Sequence, residues 1–118
     1  MKNKNVCIVG RGSIGSRQGK ILEDLGYKVY FLRRKKSKNF NNEISSYKHI
    51  SSYNFNFYFI CNPSNLHISA VKKIYKFEQN RYIKFFIEKP IATNLKDFSY
   101  LNKLIKKKKN IYLFWIYA

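Results

Sequence analysis

The chain has little of what would staple, export or embed it. Only two cysteines occur in 118 residues, Cys7 and Cys61, and both lie inside apolar runs, which argues against a disulfide framework or a zinc site and fits a reducing cytosol. No apolar segment approaches the length needed to cross a bilayer, and the opening residues lack an apolar signal region. The expectation is a cytoplasmic protein with no membrane partner and no metal. Neither an internal repeat nor a low-complexity linker divides the chain, so a single domain spanning 1–118 is expected.

Acidic residues are equally scarce. Six Asp and Glu stand against 24 Lys and Arg, giving a formal net charge of +18. Such a surface attracts polyanions and anionic lipid without a dedicated site. Composition offers a simpler cause, because Lys, Ile, Asn, Phe and Tyr, all with A- and T-rich codons, dominate the sequence while alanine occurs only three times. The basic residues are dispersed rather than grouped on one element with interleaved aromatics, so no specific nucleic-acid partner is expected. At 45% hydrophobic and 18% aromatic, the chain carries enough apolar side chain for a packed core.

Strands and helices alternate along the sequence. Val6–Val9 reads as a buried strand, Ser13–Leu25 as a helix with Ile14, Ile21, Leu22 and Leu25 largely on one face, and Lys28–Leu32 as a second strand. Gly26 supplies the helix stop. A short strand is expected near Tyr47–Ile50, then a strand at Phe57–Cys61 and a helix over about Leu66–Phe77. Tyr82–Ile87, a helix capped by Thr93 or Asn94 and running to Lys107, and a final strand Ile111–Tyr117 complete the series. This pattern predicts an α/β fold, a doubly wound and mainly parallel Rossmann sheet. The Lys106–Lys109 run reads as a solvated last turn complementing the helix dipole.

Gly10-Arg11-Gly12-Ser13-Ile14-Gly15 matches G-x-G-x-x-G directly after a strand and at the start of a helix, the setting in which that pattern holds a dinucleotide pyrophosphate. Gly10 permits the turn, Gly12 lets the phosphates approach the backbone, and Gly15 lets the helix pack against the strand. The second strand ends in Arg33-Arg34-Lys35-Lys36 without a carboxylate for the ribose hydroxyls, which favours NADP over NAD, although general lysine excess would produce the same run. Two further clusters follow strand ends, where such sheets place ligands. One is Cys61-Asn62-Pro63-Ser64-Asn65-Leu66-His67 and the other Glu88-Lys89-Pro90. Each has a plainer reading, in which His67 packs its helix and Glu88 pairs with a neighbour. His49 lies in no motif and is expected at the surface.

With these three motifs in this order, the whole chain resembles the N-terminal domain of the glucose-fructose oxidoreductase, inositol dehydrogenase and rhizopine-catabolism (Gfo/Idh/MocA) family. The resemblance implies that the glycine-rich turn, Cys61, Asn62, Pro63, His67, Glu88, Lys89 and Pro90 border a nicotinamide dinucleotide. It also implies that Lys89 lies near the nicotinamide and the substrate oxygen, where an ammonium assists proton transfer. Family members act on sugars, cyclitols or nucleotide sugars through a second α/β domain with a catalytic histidine, and no stretch of this sequence resembles that domain. Leu113–Tyr117 is similar to the crossing strand but lacks its Gly-Tyr-Asn and Arg pattern. Three expectations follow: a truncated cofactor-binding piece, one half of a two-chain enzyme docked or self-associated through the C-terminal strand, or a non-catalytic NADP- or nucleic-acid-binding module.

Overall fold

The computed structural model describes residues 4–33, 42–78 and 83–107, together with the backbone of 111–116. Its elements are β1 (Asn5–Val9), α1 (Ser13–Asp24), β2 (Lys28–Leu32), β3 (Glu43–Ile44), β4 (Phe57–Ile60), α2 (His67–Phe77), β5 (Ile83–Glu88), α3 (Leu95–Lys107) and β6 (Ile111–Ile116). The six strands form one sheet in the order β3-β2-β1-β4-β5-β6, with every pairing parallel. Strand order reverses between β1, whose chain moves on to β2, and its other neighbour β4. That reversal opens a crevice beyond their carboxyl ends.

Alternation along the strands divides the core in two. Cys7 and Val9 of β1, Tyr58 and Ile60 of β4, and Ile83, Phe85 and Ile87 of β5 join the larger cluster beneath α2 and α3. Val6, Ile8, Phe57 and Phe59 join the smaller one with Leu22 of α1, and Phe86 packs against it, stacked on Phe59 with ring centroids 4.8 Å apart. Each fully buried large side chain contributes roughly 1.5–3 kcal/mol, so the larger cluster dominates the stability of the sheet.

Two expectations are corrected. Tyr47–Ile50 is not a strand but the start of a 3-10 segment, Tyr47–Tyr53. Tyr47, Ile50 and Tyr53 recur every third residue and face the core, while Lys48, His49, Ser51 and Ser52 are exposed. Ser46 caps the segment by accepting the Lys48 N–H at 3.2 Å, a bond that competes with strand pairing. The third strand lies instead at Glu43–Ile44, beside β2.

The buried stripe of α1 is also different from the expected one. Gly15, Gly19 and Leu22 face the sheet, while Ile21 and Leu25 are exposed. The helix lies so near the strands that a Cβ on Gly19 would stand 2.6 Å from Cζ of the buried Phe31. Gly19→Ala gains helix propensity worth about 1 kcal/mol but overpacks that contact by roughly 1–3 kcal/mol, so we expect a lower urea midpoint with an unchanged m-value. A midpoint at or above that of the wild type would show that Phe31 yields freely.

Candidate cofactor-binding site

The glycine-rich turn is shaped by three close approaches. Gly10 has φ +96°, and its N–H donates to the Leu32 carbonyl at 2.9 Å; a Cβ there would lie 3.0 Å from the backbone of Asn62 and Cys61, where β4 ends. A Cβ on Gly15 would stand 2.8 Å from the Gly10 oxygen, so the first helical turn sits directly against the loop. Gly12 is the contrast. It is the N-cap of α1, in ordinary extended backbone, and a Cβ added to it would meet nothing within 4 Å. The first turn of α1 carries no acidic side chain, and its leading N–H groups have no partner within the helix.

That open space belongs to a cavity of about 360 Å³ lined by Gly10 to Ile14 on one side and by Cys61, Asn62, Pro63, His67 and Glu88 on the other. A second cavity of about 770 Å³ shares Gly10, Arg11, Asn62 and Pro63 with the first and extends over the ends of β1 and β2 to Arg33, Tyr47 and Lys73. Together they bring the first two predicted clusters, Arg33 and Glu88 into one crevice. Lys89 is exposed on the turn beyond Glu88, and Arg34, Lys35 and Lys36 lie outside the described residues.

His67 joins the two turns that follow β4 and β5. Its imidazole is 1% exposed, with Nδ1 2.8 Å from the Pro90 carbonyl oxygen and Nε2 2.8 Å from the Asn62 carbonyl oxygen. A neutral imidazole donates from one nitrogen only, so it bonds one of these two carbonyls, and the buried ring packs between the Glu88-Lys89-Pro90 turn and the floor of the first cavity. Both the pocket-lining and the helix-packing readings of His67 describe its position. Cys61 lines the same cavity, and burial, with the Glu88 carboxylate adding to it, pushes its thiol up to about 12. A thiol held neutral in that way is a poor nucleophile.

Sequence reasoning missed the residue that organises the corner at the end of β2. The end of β2 was read as free of carboxylate, yet the pairing of Glu43 with Phe31 brings a buried carboxylate to that corner. Glu43 Oε2 accepts from Arg11 Nη1 at 2.6 Å and from Arg33 Nη1 at 3.1 Å. A polar stretch of sequence separates β2 from β3, and one Glu among lysines and asparagines gives no periodic signal.

The crevice fits a dinucleotide on two observations. Nothing fills the space over Gly12 at the helix N-terminus, which suits an anionic pyrophosphate. The Asn62 Oδ1 is a buried acceptor with no hydrogen-bond partner among the described residues, and a ribose hydroxyl would supply a donor there.

Residues 4–115 match the family model described as an oxidoreductase family with an NAD-binding Rossmann fold, GFO_IDH_MocA. The chain belongs to the Gfo/Idh/MocA family. Its fold is similar to that of myo-inositol 2-dehydrogenase from Lactobacillus plantarum, at TM-score 0.78 and 19% identity, covering 98% of this chain and 36% of that one. It is similar as well to apo scyllo-inositol dehydrogenase from Lactobacillus casei (TM-score 0.66, 15% identity, 97% and 36% covered). The transcriptional regulator Gal80p from Kluyveromyces lactis shares the fold at TM-score 0.75 and 12% identity, with 97% and 32% covered. The chain thus spans about a third of the length of these structures. No curated protein matches it. The matching model describes an NAD-binding Rossmann fold, and open sheets of this kind place ligands where the strand order reverses, which here is beyond β1 and β4. Among the described residues no helix is long and apolar enough to cross a membrane, and no group of three or more His, Cys, Asp or Glu gathers as metal ligands.

Proposed function

We propose that this chain is the cofactor half of an oxidoreductase, binding NADP in preference to NAD, for a substrate of the sugar, cyclitol or nucleotide-sugar class. The observation that carries the cofactor reading is the vacant space above Gly12 at the N-terminus of α1, continuous in its lining residues with a cavity rimmed by Arg11 and Arg33. Ser13 and Ile14 border the pyrophosphate, Asn62 and Pro63 the ribose, and Cys61, His67 and Glu88 the nicotinamide end. When bound, the dinucleotide supplies the hydride exchange. Lys89 stands beyond Glu88 on the turn that packs against His67 at the Pro90 carbonyl, where its ammonium would hold or donate a proton at a substrate oxygen. The substrate class rests on the inositol dehydrogenases that share the fold, and turnover calls for a second domain, in a longer polypeptide or a partner chain docked along β6.

A second reading, a non-catalytic dinucleotide-responsive module, is favoured by the likeness to Gal80p, a transcriptional regulator. One titration tests the common core of both. The folded chain, followed by nicotinamide fluorescence at moderate salt, should bind NADPH saturably and at least about tenfold more tightly than NADH, the advantage of one charge-assisted contact. Binding of neither cofactor by a chain shown to be folded would overturn the proposal. Equal binding of both would leave the site and remove the NADP preference.

A further inference from the structure

The corner at the end of β2 holds more than the cations that the sequence places there. Arg11 occupies the second position of the glycine-rich turn and projects across the sheet edge, its guanidinium carbon 4.2 Å from the Phe31 ring centroid and its Nη1 2.6 Å from Glu43 Oε2. A planar cation stacked on a ring and anchored on a carboxylate is fixed in both position and tilt. Arg33 reaches the same oxygen at 3.1 Å. The Glu43 side chain is 0% exposed, whereas those of Arg11 and Arg33 are 19% and 37% exposed, so an approaching ligand meets guanidinium and not carboxylate.

That arrangement decides the sign of the site. A reachable carboxylate at this corner accepts the ribose hydroxyls and repels a phosphate. A carboxylate sealed beneath two arginines can do neither directly; it neutralises one of the two charges and leaves the rim net positive. Lys73, which lines the same cavity, adds a further cation. A phosphomonoester carries close to two negative charges near neutral pH and offers oxygens that match the guanidinium fork.

We propose that Arg11, held by Glu43 and Phe31, is a specificity-determining contact to the ribose 2′-phosphate of NADP, completing a clamp with Arg33. This deepens the cofactor reading above and rests on it. The glycine-rich turn would then serve both ends of the cofactor, its backbone facing the pyrophosphate and its one long side chain facing the adenosine phosphate.

The test titrates the full chain and Arg11→Met, which keeps an unbranched stem against Phe31 without the charge, with NADPH and NADH at one fixed ionic strength. Competition by 2′-AMP, 5′-AMP and inorganic phosphate is measured in parallel. We expect the variant to weaken NADPH by about tenfold or more while NADH changes by less than about threefold, the loss of one charge-assisted bond. In the wild type, 2′-AMP should displace NADPH better than 5′-AMP or phosphate, and the variant should lose that advantage. A wild type that prefers NADPH beside a variant that keeps the preference would overturn the assignment and leave the cofactor reading standing. Equal displacement by all three competitors would overturn it too, marking a general anion site. A wild type that binds neither cofactor would fell both. Should Arg11→Met unfold because Glu43 has lost a partner, Arg11→Met with Glu43→Gln removes both charges together and answers the same question.

Discussion

Gly12→Asp is expected to abolish dinucleotide binding while leaving the protein as stable as before, or more so. The two effects share one cause, the position of this residue as N-cap of α1 with φ −76° and ψ −165°, a conformation open to any side chain. Aspartate is among the preferred N-caps, since its carboxylate accepts the N–H groups of the first turn, and there is no other side-chain cap to displace. Because glycine is itself an accepted N-cap, the gain is only about 0.3 kcal/mol, with a further few tenths from the helix dipole. The same carboxylate would occupy the space in which a Cβ meets nothing within 4 Å, where the pyrophosphate is proposed to lie. It would consume the N–H donors, fill their volume and set like charge against the phosphates. Each of these effects costs the ligand 1 kcal/mol or more, so affinity for NADPH and NADH together should fall by at least about a hundredfold. Thermal unfolding paired with fluorescence titration reads both halves. Loss of binding accompanied by loss of stability would instead mean that Gly12 is needed by the fold, and unchanged binding would place the phosphates elsewhere.

Most of the fold was legible because buried parallel strands and amphipathic helices leave strong patterns. Phe57–Ile60 and Ile83–Glu88 announce themselves as short apolar runs closed by turn residues, and Asn94 was readable as a cap, its Oδ1 accepting the Asp97 N–H at 2.9 Å. The glycine-rich turn was legible for the same reason, that only glycine satisfies contacts as close as those at Gly10 and Gly15. What escaped carries neither the strand nor the helix period. Gly19 packs because it lacks a side chain, so counting apolar residues placed Ile21 and Leu25 on the buried face of α1 in its stead. The turn from Tyr47 repeats every third residue, between the strand and helix periods, and reads as either. Glu43 reaches the site only through a two-residue strand, whose pairing with β2 is a tertiary fact with no local signature. The corner at the end of β2 therefore reads as purely cationic in the sequence, whereas a buried carboxylate organises it.

Alkaline conditions should unfold this chain early, and the direction follows from groups that are buried neutral. Burial, reinforced by Glu78, raises the Cys7 thiol well above its ordinary 9.0, and burial with Glu88 pushes Cys61 up to about 12. Tyr58, which donates to Glu78, and Tyr47, set near Cys7, are raised as well, each chiefly by burial. For all four the folded state holds its proton more tightly than the unfolded state does. Their contribution is therefore fully present below pH 9 and is lost as pH climbs from there toward the folded values. At pH 10, one unit above the ordinary thiol value, the two cysteines alone account for about 3 kcal/mol, a large share of a typical domain stability of about 5–15 kcal/mol. An opposing effect comes from the +18 formal charge, since discharging lysines relieves self-repulsion. It is the weaker of the two below pH 10, because lysines titrate near 10.4 and exposed charges are screened over about 8 Å at 0.15 M salt, whereas buried thiols are not. Urea midpoints at 0.15 M salt should accordingly hold steady to pH 8.5 and fall steeply by pH 10. A Cys7→Ala/Cys61→Ser variant, less stable at neutral pH, should show the shallower fall. An equal slope in the variant would assign the alkaline transition to the tyrosines, and a midpoint that rises with pH would show that charge relief governs this chain.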